Sequence, residues 1–174
     1  MYPIYAVGGI TLSEIPGKTA LVVEFANCQQ RCPGCHSKHL WESGEDLSLS
    51  EVMTYIDSTL QEDVNCILLM GGTTNGIPLD DLRKLVEAIY RYYSIPVAIY
   101  SGLPEEETPM DEMAAWYGLD WLKTGDYREE LGGLESPKSN QKLYRKDFKH
   151  LIKDNVLKVK FIWEDETYKF RGIK

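Results

Sequence analysis

The chain has 174 residues, a length that suits one domain with a buried core. Its 27 acidic and 19 basic residues give a net charge of −8. This charge argues against a non-specific binder of nucleic acid or of anionic membranes, since such proteins need a basic face. No apolar run approaches the roughly 18 residues that a membrane-spanning helix needs. Residues 1–4 lack the basic and apolar regions of a signal peptide. We therefore expect a cytoplasmic protein.

Two strands and then a helix are predicted in the first third of the chain. Residues 4–10 suit an edge strand or an extended lead-in, and the apolar run 21–25 predicts a buried strand. A capping box, Ser48 with Glu51, then predicts a helix. Apolar residues at helical spacing continue that helix over 49–60.

The middle of the chain repeats this arrangement. The predicted elements are a strand over 64–70, a helix over 80–93, a strand over 96–100, a helix from Thr108-Pro109 to near Gly118, and a strand over 120–123. Right-handed crossovers between such units make a sheet parallel. A complete eight-fold barrel needs about 250 residues. We therefore predict an α/β fold: a single-domain incomplete (open) TIM-like barrel of βα units, with its core at about 20–145.

The loops with unusual residues all follow predicted strands. Open α/β sheets and barrels bind their ligands at the carboxyl ends of parallel strands. The sequence therefore predicts a ligand site formed by the loops 26–36, 70–76, 100–103 and 123–127.

The character of the sequence changes after Glu129. Residues 156–163 alternate between apolar side chains and lysines, which predicts a strand. We expect a turn at 164–166 and a return pairing of 167–170 as a hairpin. Residues 146–174 are thus a C-terminal extension whose role the sequence does not indicate.

Three cysteines crowd into one predicted loop in a C-x3-C-x2-C pattern: Cys28, Cys32 and Cys35. Pro33 and Gly34 oppose a continuous helix, so we predict a loop that turns the three thiols toward one point. Three thiolates can hold an iron–sulfur cluster, which normally has four cysteine ligands. One iron would then lack a protein ligand and could bind a substrate.

Other interpretations of the cysteines stay open. His36 or His39 could complete a tetrahedral zinc site with the three thiols. A pair of buried or redox-active thiols is a further alternative. Cys66 lies inside a predicted strand, which favours a small buried hydrophobe over a fourth ligand.

The loop resembles the signature of the radical S-adenosylmethionine enzymes in its run Cys32-Pro33-Gly34-Cys35-His36-Ser37, followed by Trp41. Residues 123–127 and the Ser-Asn-Gln at 139–141 are similar to the activating proteins of anaerobic (class III) ribonucleotide reductases. The resemblance spans about 23–145. It implies a barrel of the radical S-adenosylmethionine type, a [4Fe–4S] cluster on the three cysteines, and S-adenosylmethionine on the fourth iron.

The resemblance also implies which residues contact S-adenosylmethionine. Gly71 and Gly72 match the glycine pair of the family. The next position is usually acidic and is Thr73 here, so its hydroxyl would meet the methionine ammonium without a charge. No catalytic residue beyond the cluster ligands is implied. The implied contacts are Gly34, His36, Gly71, Gly72, Thr73, Ser101 and Lys123.

The implied function is activation of a reductase. In that family a reduced cluster cleaves S-adenosylmethionine, and the 5′-deoxyadenosyl radical takes a hydrogen atom from a glycine of the partner. The expected partners are the glycyl radical subunit of an anaerobic ribonucleotide reductase and a low-potential electron donor such as flavodoxin or ferredoxin, with no nucleic acid and no membrane. Alternatives are a radical S-adenosylmethionine enzyme acting on a small molecule or peptide, and a zinc-stabilised binding module without catalysis.

Overall fold

The computed structural model describes residues 1–153 and 156–171. Eight strands in this part of the chain form a mixed sheet: β1 (Tyr2–Thr11), β2 (Ala20–Phe25), β3 (Glu45–Leu47), β4 (Cys66–Met70), β5 (Val97–Tyr100), β6 (Leu119–Thr124), β7 (Lys142–Lys153) and β8 (Val156–Asp165). The helices are α1 (Leu49–Thr59), α2 (Leu79–Tyr93) and α3 (Met110–Ala114). Short 3₁₀ turns cover Lys38–Trp41, Glu105–Glu107 and Thr167–Lys169.

The strand order is β3-β1-β2-β4-β5-β6-β7-β8. The four central strands, β2, β4, β5 and β6, run parallel to one another, as the repeated units predicted. On one side of these parallel strands, β1 pairs antiparallel with β2, and β3 pairs antiparallel with β1. On the other side, β7 pairs antiparallel with β6, and β8 pairs antiparallel with β7.

The predicted incomplete TIM-like barrel is wrong, because the molecule is an eight-stranded open mixed sheet. An antiparallel neighbour needs no helical crossover. The four flanking strands, which are β1, β3, β7 and β8, therefore add no βα unit to the sheet. A sheet that ends in antiparallel strands on both sides does not continue the βα repeat from which a barrel is built.

The two faces of the parallel strands are covered differently. On one face, helices α1, α2 and α3 pack through Ile56, Leu85 and Met113 onto the sheet. The second face is covered by side chains from connecting loops and from the chain that follows β8: Ile15, Leu134 and Phe170. This second face carries the candidate site.

The capping box at the start of α1 is confirmed. The Ser48 hydroxyl accepts the N–H of Glu51, and the Glu51 carboxylate accepts the N–H of Ser48 at 2.7 Å. Helix α2, with 15 residues, lies within one residue of its predicted bounds. Among residues 1–153 and 156–171, no helix has both the length and the apolar character needed to cross a bilayer.

The predicted strand over 156–163 is confirmed, but its predicted partner is wrong. Strand β8 pairs with β7 over ten residue pairs, from Tyr144↔Asp165 to Lys153↔Val156. Residues 167–169 form a 3₁₀ turn instead of returning as a strand. Residues 154, 155 and 172–174 of the predicted extension lie outside the described residues.

Candidate functional site

The floor of the candidate site is the last row of side chains on the parallel strands. Glu24, Met70, Tyr100 and Lys123 are successive partners across β2, β4, β5 and β6. Because partners in register share a face of the sheet, the four side chains belong to one row. Met70, Tyr100 and Lys123 line a cavity of about 470 Å³ at the carboxyl ends of the strands.

The three clustered cysteines line this same cavity. They lie in an irregular loop directly after β2, as predicted, and backbone bonds fix its course. The Cys28 N–H donates to the Leu40 carbonyl at 2.8 Å, and the Cys35 N–H donates to the Cys32 carbonyl at 3.1 Å. Left-handed backbone at three positions prevents a helix: Asn27 (φ 59°), Arg31 (φ 45°) and Gly34 (φ 72°).

Two of the three sulfurs have a hydrogen-bonding neighbour. The Ser37 N–H donates to Cys35 Sγ at 3.4 Å, and the Thr74 hydroxyl lies 3.5 Å from Cys28 Sγ. Burial raises the pKa of Cys32, and the backbone N–H of Tyr127 opposes this shift. Metal binds cysteine as the thiolate, so burial opposes ligation at Cys32 and the Tyr127 N–H favours it.

The arrangement of the cysteines bears on the two metal sites that the sequence left open, an iron–sulfur cluster and a zinc ion. Three thiols on one cavity suit an iron–sulfur cluster, in which each thiolate binds its own iron. In the parts of the chain that the structure describes, no three His, Cys, Asp or Glu side chains converge as the ligands of a single ion. Of the two histidines considered for zinc, His39 bonds Glu24 Oε1 at 3.1 Å, and His36 Nε2 lies 3.2 Å from the Tyr127 hydroxyl.

The structure brings most of the expected contact residues to the cavity. His36, Gly71, Ser101 and Lys123 line it together with the cysteines. Gly34, Gly72 and Thr73 do not contribute to its lining. The Thr73 hydroxyl lies 2.9 Å from the Ser101 hydroxyl, so this contact connects the loops that follow β4 and β5.

The glycine pair is needed by the packing of its own loop. Both residues have left-handed φ angles, 100° at Gly71 and 98° at Gly72. A Cβ at Gly71 would lie 2.6 Å from Asn75 Oδ1, and one at Gly72 would lie 2.8 Å from a Leu82 methyl. Both N–H groups have partners within the protein, the Tyr100 carbonyl for Gly71 and Asn75 Oδ1 for Gly72.

Asn75 is a structural residue of the site that the sequence reasoning missed. Its buried amide accepts the Gly72 N–H at 2.7 Å and donates to the carbonyls of Phe25 (3.1 Å) and Ala26 (2.7 Å). Asn75 therefore connects the loop that follows β4 to the end of β2, where the cysteine loop begins. A polar residue beside paired glycines at a strand end was the available signal.

Lys123 supplies the positive charge of the cavity. Desolvation lowers the pKa of its ammonium to about 8, against the opposing effect of Glu14. The group is therefore mostly charged at pH 7. Its Nζ lies 5.3 Å from the centre of the Tyr100 ring, which favours the cation further. A cation in this position could bind a carboxylate.

A second wall of the cavity extends beyond the predicted loops. It consists of side chains from the β6–β7 connection and from the chain after β8. Tyr127 belongs to the predicted loop 123–127, whereas Leu134 and Phe170 were not expected at the site. The Arg171 guanidinium holds this wall by donating to three carbonyls, those of Leu134, Ser139 and Gln141, at 3.1–3.3 Å.

The Ser-Asn-Gln stretch supports this second wall, and Gln141 also lines the cavity. Asn140 Nδ2 donates to the Asp126 carbonyl at 3.0 Å, and Gln141 Nε2 donates to the Gly125 carbonyl at 3.3 Å. Ser139 donates to the Gly132 carbonyl at 3.0 Å. These residues therefore fix the connection that begins at the β6 exit.

Cys66 differs from the other cysteines in a way that alkylation can measure. It is buried within β4, and burial raises the pKa of its thiol to about 12. We expect iodoacetamide at pH 8 to modify Cys28, Cys32 and Cys35 in the folded, metal-free protein and to leave Cys66 unmodified. Peptide mass spectrometry checks this, with a urea-unfolded sample as the control. Modification of Cys66 at the rate of the other three would contradict its burial.

No family model, no curated protein and no solved structure matched this chain. The functional argument therefore depends on the residues of the cavity and on their geometry.

Proposed function

We propose that the chain is a radical S-adenosylmethionine activating enzyme that generates a glycyl radical on an anaerobic ribonucleotide reductase. One observation carries the proposal: three thiols, two of them with a hydrogen-bonding neighbour, line one cavity at the carboxyl ends of four parallel strands. Cys28, Cys32 and Cys35 would hold the cluster. When bound, a [4Fe–4S] cluster with one open iron supplies the electron for reductive cleavage of S-adenosylmethionine.

The other side chains of the cavity would bind and orient the cofactor. Lys123 offers a cation to the methionine carboxylate, and Ser101 offers a hydroxyl beside it. The aromatic pair His36 and Tyr127, with ring centres 4.8 Å apart, forms a wall on the cysteine-loop side. Apolar side chains such as Leu134 reduce the access of water to a reactive intermediate.

A protein substrate is supported by the size and charge of the molecule. The cavity of about 470 Å³ falls within the range of small-molecule sites, so bound S-adenosylmethionine would occupy much of it. The reacting group of a second substrate would then approach from the mouth, as a backbone loop of a partner can. The net charge of −8 favours a protein partner over nucleic acid or an anionic membrane. A flavodoxin or ferredoxin would supply the electron.

Anaerobic reconstitution tests the proposal. We expect the protein to take up about four irons and four sulfides per chain. With reductant and S-adenosylmethionine it should release 5′-deoxyadenosine, and with an anaerobic ribonucleotide reductase it should produce a glycyl doublet by electron paramagnetic resonance. Turnover of S-adenosylmethionine without a doublet on any reductase tested would instead indicate a small-molecule or peptide substrate. One equivalent of zinc, with neither iron nor sulfide, would indicate the binding module.

A further inference from the structure

Thr74 is held rigidly against the cysteine loop. Its side chain is buried and lines the cavity. Its carbonyl accepts the N–H of Gln29, the residue after Cys28, at 2.9 Å. A Cβ built at Gly102 would lie 3.4 Å from both the methyl and the hydroxyl of Thr74, so the β5 exit packs closely against this side chain. Thr74 therefore has little freedom to move away from the first cysteine.

The Thr74 hydroxyl has two neighbours but only one proton to donate. Oγ1 lies 3.4 Å from Asn75 Oδ1 and 3.5 Å from Cys28 Sγ. Asn75 Oδ1 already accepts the Gly72 N–H at the shorter distance of 2.7 Å. The amide oxygen therefore keeps a good partner if the hydroxyl turns toward the sulfur.

A cysteine that binds iron is a thiolate, which can only accept a hydrogen bond. A hydrogen bond to a charged acceptor is about twice as strong as one to a neutral acceptor. With Cys28 as a cluster ligand, the Thr74 hydroxyl, 3.5 Å from Sγ, would therefore direct its proton to the sulfur. Hydrogen bonds to the cluster sulfurs are among the factors that set the potential of such clusters. A donor stabilises the reduced cluster more than the oxidised one, because the reduced cluster carries one more negative charge.

We propose that the Thr74 hydroxyl donates a hydrogen bond to the Cys28 thiolate and thereby raises the reduction potential of the cluster. The inference rests on the proposed function, since it requires the cysteines to hold a cluster. Thr74 acts through Cys28 and is a positioning residue, with no contact to substrate required. Its effect would make the cluster easier to reduce by the electron donor.

The test is a redox titration of the reconstituted protein without S-adenosylmethionine, followed by electron paramagnetic resonance. For Thr74→Val, which keeps the shape and removes the donor, we expect the ratio of reduced to oxidised cluster at a fixed ambient potential to fall about tenfold. For a one-electron couple this corresponds to about 59 mV. Thr74→Ser keeps the hydroxyl and should keep the wild-type potential. Thr74→Ala removes the donor without added bulk and is measured in case the valine variant fails to assemble.

Thr73→Val is the matched control. Thr73 is the neighbouring threonine, but its hydroxyl faces Ser101 and it does not line the cavity, so the potential should not change. A wild-type potential in both the valine and the alanine variants at residue 74 would overturn the inference and leave the proposed function standing. A wild-type protein that takes up no cluster would overturn both.

Discussion

Cys32→Ala is expected to abolish cluster assembly and leave the fold intact. The Cys32 side chain lies in a loop at the cavity, is partly exposed, and is not part of either hydrophobic cluster of the sheet. The substitution removes one of the three proposed cluster ligands and does not remove any contact of the hydrophobic core. We expect material without iron or sulfide and no 5′-deoxyadenosine above background. The free energy of unfolding of the metal-free protein should change by no more than about 0.5 kcal/mol.

Cys66→Ala is the control for this prediction. Its sulfur is buried in β4 and does not line the cavity. We expect this variant to lose about 1–2 kcal/mol of stability and to keep the cluster. Iron analysis, visible absorbance and urea unfolding of both variants check the contrast. Global unfolding of Cys32→Ala would contradict it and favour a zinc-stabilised module, since such modules fold only with their metal.

Asn75→Ala is expected to cost about 3–5 kcal/mol of stability. The substitution removes the three shorter hydrogen bonds of this side chain and leaves the Gly72 N–H and the carbonyls of Phe25 and Ala26 without it as a partner in a buried region. Unpaired buried polar groups carry their full desolvation cost. Because Ala26 and Asn27 lead into the cysteine loop, the loop should also lose its fixed position. Urea unfolding monitored by circular dichroism measures the first effect, and iron uptake measures the second.

Asn65→Ala provides the comparison for that variant. Asn65 also sits at an end of β4, but its Oδ1 accepts a single exposed bond, from the Thr19 N–H at 3.1 Å. We expect a loss of about 1 kcal/mol or less. Equal losses in the two asparagine variants would show that Asn75 contributes nothing beyond one ordinary hydrogen bond.

The central part of the fold follows from the sequence. The parallel strands β2, β4 and β5 are short, mainly apolar runs, and both long helices show apolar residues at helical spacing. These are local signals. The predicted barrel was wrong because the alternation of side chains along a strand does not reveal whether the neighbouring strand runs parallel or antiparallel. Strand β7 was missed for a related reason: on a two-stranded extension both faces are exposed, so Phe148, Leu151 and Ile152 do not form one buried stripe.

The candidate site could be predicted only in part. Three thiols in one loop, and glycines after a strand, are visible along the chain. The role of Asn75 depends on contacts with residues about fifty positions away, and Phe170 reaches the cavity only because the chain returns after β8. Such contacts are set by the tertiary fold, and no local pattern indicates them. Thr73 likewise contacts Ser101 through the neighbouring strand exit.

The position of β8 at the end of the sheet has a consequence for solubility. In the part of the chain that the structure describes, its outer backbone edge has no neighbouring strand, and apolar side chains of β7 and β8, such as Ile152 and Leu157, are largely exposed. A long free edge of this kind is a template for intermolecular sheet growth and fibril formation. Lys158 and Lys160 alternate with the apolar residues of β8, so each added copy would stack ammonium groups against one another. Electrostatic repulsion between these lysines would thus oppose aggregation.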